Sequence, residues 1–168
     1  MLGGCVPDTP VTTPAPEPSA TPVFASDEEA QAAAEAAYAA YLAVSDAISA
    51  DGGANPERIE PLVSGEQYQV ELDGFTTYSA KGWKTIGSTT FDTAQLQAYA
   101  DYGDGTSTVS IYVCSDTTGV RLLDSTGSDI TPSDSAARRT LELSFSNEEP
   151  ASPLVLESAG IWNSESEC

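Results

Sequence analysis

From Ala30 to Ile48 the chain runs without a glycine or a proline, and ten of these residues are alanine. Alanine loses no side-chain entropy in a helix, so the stretch has few alternatives to one. Ser26-Asp27-Glu28-Glu29 stands before it in capping-box form, with serine at the N-cap, glutamate three residues on and acids in the electropositive first turn. Ala34, Tyr38, Tyr41, Val44 and Ile48 recur at three- and four-residue spacing, and Leu42 widens that stripe. Asp51-Gly52-Gly53 ends the helix after about six turns. The alanines let it approach a sheet closely, and the tyrosines supply bulk and hydroxyls to the core or its rim.

Two shorter helical signals follow. Asn55-Pro56 opens a short helix, with asparagine at the N-cap and proline at the first helical position, reaching Leu62 or Val63. Tyr68, Leu72, Phe75 and Tyr78 then favour a third helix, against Gly74 and the strand formers between them. From Trp83 the texture changes. Thr85 to Phe91 and Ala94 to Tyr99 carry threonines and aromatics, and Tyr102-Gly103-Asp104-Gly105 turns the chain. Val109, Ile111 and Val113 alternate with Ser110, Tyr112 and Cys114, the pattern of a strand. Val120 to Leu123 with the turn Asp124-Ser125-Thr126-Gly127, then Arg138 to Phe145 and Leu154 to Trp162, complete the strand set. Helices first and antiparallel strands afterwards predict one α+β domain over 26–168.

Charge narrows the function classes. Against 26 acids stand 6 lysines and arginines and no histidine, a net charge of −20. Residues 27–80 hold eleven acids with Arg58 alone, so the helical half carries half the excess. A nucleic-acid partner is disfavoured, because phosphates must be neutralised by cations. The lack of histidine removes imidazole metal ligands, a Ser–His–Asp triad and a Cys–His pair. Asp101-Tyr102-Gly103-Asp104-Gly105 lacks the further oxygens and the closing glutamate of a calcium loop, and no glycine-rich nucleotide motif occurs. No metal or cofactor is expected.

The N-terminal stretch is of another kind. Pro7, Pro10, Pro14, Pro16, Pro18 and Pro22 sit among threonine and serine, which predicts an extended tether up to residue 25. Ahead of it, Leu2-Gly3-Gly4-Cys5 resembles the bacterial lipobox, whose cysteine is acylated and becomes the first residue after cleavage. That resemblance makes Cys5 a lipid carrier that anchors the domain to the outer face of a cell membrane. It also expects an apolar signal segment ahead of Cys5. With Cys5 assigned to lipid, Cys114 and Cys168 remain as one disulfide pair, suited to an oxidising compartment.

The order of three helices and then a curved antiparallel sheet is similar to the NTF2-like, cystatin-like α+β roll. More narrowly, the chain resembles secreted lipoproteins of actinobacteria. The shared features are the lipobox Cys5 with its tether, the alanine-rich helix with Tyr38 and Tyr41, and the strand ending Val113-Cys114-Ser115-Asp116. The Asp124–Gly127 turn and the stretch from Trp162 to Cys168 complete the likeness. The resemblance implies a cone with an interior pocket and no settled chemistry, since the fold serves enzymes, binders and scaffolds alike.

The expected function is therefore a membrane-anchored, non-enzymatic binding or scaffold domain that meets an envelope protein or a small ligand. The alternative is an isomerase- or hydrolase-like enzyme in the same fold. It needs a carboxylate with a raised pKa beside a phenol in an apolar pocket. Asp73 and Asp116 are its candidate acids, and Tyr38 and Tyr41 its candidate donors.

Overall fold

The computed structural model describes Met1, residues 21–133, residues 137–162 and Cys168; Cys5 and most of the expected tether lie outside these residues. Helix α1 spans Asp27–Ala50. Ser26 Oγ accepts the Glu29 N–H at 3.2 Å, and the Glu29 carboxylate accepts the Ala25 N–H at 2.8 Å. The box thus closes one residue earlier than the reciprocal bond to Ser26 would. Just before the helix, Phe24 sets its ring edge-on against Tyr99, with centroids 5.6 Å apart.

The short helix, Pro56–Leu62, is a 3-10 helix. Asn55 sits before it in the left-handed region and makes no side-chain cap bond, so the expected asparagine cap is not formed. Pro61, lacking an N–H, suits a short 3-10 piece better than an α-helical interior. Helix α2 runs Gly65–Lys81, capped by Ser64, and passes through Gly74. Gly74 is exposed, so its weak propensity costs about 1 kcal/mol and no packing. Where α1 ends, Gly53 takes φ +78°, and a Cβ there would collide with the Phe75 carbonyl of α2. That close approach requires glycine.

Six strands follow among the described residues: β1 Lys84–Ile86, β2 Thr90–Asp101, β3 Ser107–Asp116, β4 Arg121–Leu123, β5 Arg138–Asn147 and β6 Val155–Ile161. They form two antiparallel sheets, β1-β4 and β2-β3-β5-β6, with no closed barrel. The fold is α+β, as the sequence order implies. Two details differ from the sequence reading. The expected strand from Thr85 to Phe91 breaks at 87–89, where Gly87 at φ +90° lies against the Gly119 backbone. Strand β4 leaves the main sheet to pair with β1, Thr85 opposite Leu122.

Burial alternates along β3 from Ser107 to Val113 and separates the faces of the main sheet. Val109, Ile111 and Val113 sit opposite Phe145, Leu143 and Leu141. With Leu156 of β6 they meet Ala30, Ala34, Tyr38 and Ile48 of α1 and Phe75 of α2. Full burial of a side chain such as Phe145 or Leu143 contributes roughly 1.5–3 kcal/mol. The two buried alanines of α1 keep that helix close to the sheet. No described helix is long and apolar enough to cross a membrane.

Candidate binding groove

Of the two tyrosines of α1, Tyr38 is buried in the core and Tyr41 packs half-buried against it. Tyr38 is 3% exposed, stacks on Tyr41 with centroids 6.0 Å apart, and meets Phe91 of β2 edge-on at 5.0 Å. Burial pushes its phenol pKa up, against a hydrogen bond with Ser115 that lowers it. The Tyr41 hydroxyl donates to Glu71 Oε1 of α2 at 2.8 Å, an oxygen that also accepts from Gln67 Nε2 at 2.8 Å. Burial, and then the Glu71 charge, raise the Tyr41 pKa far above that of a free phenol. Both phenols stay protonated through the neutral range.

The two candidate acids lie elsewhere. Asp73 is exposed on α2. Asp116 ends β3 on the face turned away from the helices, where its Oδ1 accepts from Thr118 Oγ1 at 2.6 Å and from the Thr118 N–H at 2.8 Å. Arg138 of β5 reaches Asp116 Oδ2 at 3.3 Å and Asp92 Oδ1 of β2 at 2.6 Å, joining three strands. The Thr118 bonds, with the arginine behind them, hold the Asp116 carboxyl below its ordinary range. Tyr38 and Tyr41 are thus brought together, whereas Asp73 and Asp116 join neither them nor each other.

Cys114 lies on that same outer face and is bonded to Cys168, with Cα atoms 5.6 Å apart. The expected disulfide is present. Its route differs from a direct meeting of β3 with β6, because β5 lies between them. Cys114 pairs with Thr140 across the ladder, and Thr140 Oγ1 is 3.1 Å from Cys168 Sγ. Trp162 donates its N–H to the Thr140 carbonyl at 3.0 Å and packs its ring on Tyr112 at 4.9 Å. The C-terminal cysteine therefore closes back over β5. A disulfide of this kind belongs to oxidising surroundings and marks an extracytoplasmic domain.

The concave feature of the helical side was not evident from sequence. An open trough of about 640 Å³ runs between the outer flank of α1 and the connection from β1 to β2. Its helix wall is Ala39, Leu42, Ala43, Asp46, Ala47 and Ala50, and residues 87–91, ending in Phe91, form the other. Asp46 joins the two walls: its Oδ2 accepts the Thr89 N–H at 2.8 Å and its Oδ1 accepts Thr89 Oγ1 at 3.0 Å. The signal in sequence was a single acid four residues after Leu42 in an alanine-rich face. Its partner, 43 residues on, left no trace there.

These features define a disulfide-closed α+β domain with an open, mostly apolar groove. No protein-family model matches the sequence, and no curated protein does. Among solved structures the chain is similar to the crystal structure of the intermembrane space region of chloroplast protein ARC6, with a TM-score of 0.58 and 13% identity over 80% of this chain and 97% of that one. At that identity the likeness speaks to the fold alone.

Proposed function

We propose that this chain is a cell-envelope lipoprotein, anchored through Cys5 to the outer face of a membrane, whose 26–168 domain is a non-enzymatic binding or scaffold module of NTF2-like type. The observation that carries the binding reading is the groove beside α1. It offers Ala39, Leu42, Ala43, Ala47, Ala50 and Phe91 as apolar surface in an open trough. The side chains that an acid/base enzyme would use support the same reading: Tyr38 is bound up in the core, Tyr41 is tied to Glu71, and Asp116 is held ionised by Thr118 and Arg138. The NTF2-like assignment draws on the element order and on the helices gathered over one face of the sheet. The anchor draws on Leu2-Gly3-Gly4-Cys5, and the location on the disulfide.

Two experiments test this reading. A neutral solvatochromic dye should brighten on addition of the protein and stay dark with Ala43→Trp, which fills the groove from an exposed position. Equal brightening with both proteins overturns the groove as the binding surface. A fatty-acid probe fed to cells expressing the full gene product should label the wild type and leave Cys5→Ser unlabelled. Equal labelling overturns the anchor.

A further inference from the structure

We propose that the groove receives a cationic amphipathic peptide segment, laid along α1 with a lysine or arginine against Asp46. The inference rests on the binding-module reading above and names its partner. Length and shape come first. Ala39 to Ala50 spans about 16 Å of helix, the length of roughly eleven residues of a second helix lying alongside. An open trough suits a segment better than a compact small molecule, which pockets enclose over most of its surface. The exposed Ala39, Ala43, Ala47 and Ala50 project only methyl groups, so another backbone can come close. Leu42 and Phe91, both half-buried, supply the apolar floor on which leucine-like side chains lose water.

Charge fixes the partner's sign. Asp46 is the one charged residue of the lining, and it makes no ion pair among the described residues. Thr89 occupies one acceptor site on each of its oxygens. A carboxylate has about four such sites, so both oxygens can still accept from an ammonium or guanidinium. The field of a chain with net charge −20 draws such a partner in and repels an acidic one.

The test uses the full chain and a synthetic helical lysine/leucine peptide of about twelve residues. Its controls are a scrambled peptide of equal composition and one with every lysine replaced by glutamate. Backbone amide shifts should move in 39–50 and 87–91 with the amphipathic peptide, and only weakly with either control. Asp46→Asn keeps both bonds to Thr89, since an amide accepts from the N–H and donates to the hydroxyl. It should weaken binding about tenfold and flatten the salt dependence. Ala43→Trp should abolish groove shifts. Equal affinity for wild type and Asp46→Asn, or equal binding of the scrambled peptide, overturns the cationic partner. If Ala43→Trp still prevents binding in that case, the binding-module reading stands. Shifts lying outside the groove, insensitive to Ala43→Trp, overturn both.

Discussion

Aspartates in this chain do local work that its net charge conceals. Asp104, Asp116, Asp124 and Asp129 each accept from the backbone N–H and the hydroxyl of the threonine two residues on. In all four the threonine hydroxyl bond is the leading cause of a carboxyl pKa below its ordinary value. A depressed folded pKa adds stability that is fully present above the unfolded value of about 4 and is lost as pH falls through the folded value. Urea midpoints should therefore hold steady down to about pH 4 and drop progressively below it. Replacing the four threonines by valine should shrink that drop, and an unchanged acid limb would contradict the assignment. The Tyr41–Glu71 bridge makes a sharper case, because it ties α1 to α2 at a partly buried place. Tyr41→Phe leaves Gln67 on the same oxygen and should cost about 1–2 kcal/mol in urea unfolding. A neutral or stabilising result would mean that the bond is not formed in solution.

Elements differed in how plainly they could be read. Helix α1 was legible because its alanines, its lack of glycine and its Ser26 cap agree, and β3 because burial alternates from Ser107 to Val113. Strand β2 hid its pattern. Two register shifts interrupt it, and Thr93 takes φ +53°. Such irregularities reset which side chains face the core. The pairing of β1 with β4 was invisible because three-residue strands carry no periodicity. Nor could sequence reveal how the open edge of β2 is managed. The Gln31 side-chain amide, reaching out from α1, donates to the Ala94 carbonyl and accepts from the Leu96 N–H, both at 3.2 Å, as a neighbouring strand would. Unpaired edges invite association with other chains. Gln31→Ala should thus lower stability by about 1–2 kcal/mol. It should also raise the sedimentation-measured fraction of oligomer at high concentration; a variant as monomeric as the wild type would sink the edge-capping role.

At the scale of the whole molecule, helices and sheet meet in one core, while the disulfide secures the opposite face of the sheet. The bond joins residues 54 apart and fastens the C-terminus over β5. Cys168→Ser should cost about 2–4 kcal/mol, read as a lower urea midpoint that added reductant does not lower further. A variant as stable as the oxidised wild type would show the bond to be incidental. The pair was legible from cysteine arithmetic, but its path around β5 was not, because strand order is a tertiary property. The groove was harder still to foresee. Its walls come from α1 and a connection some forty residues later, and the alanines of the helix wall read in sequence only as helix formers. We propose that these residues build a binding surface rather than an acid/base centre. Side-chain titration by NMR tests it most directly. Asp116 should titrate below the ordinary carboxylate range, and Tyr38 and Tyr41 above the ordinary phenol range. A carboxylate raised above about 6 within hydrogen-bond reach of a tyrosine hydroxyl would contradict it, since that is the mark of a general acid ready to act near neutral pH.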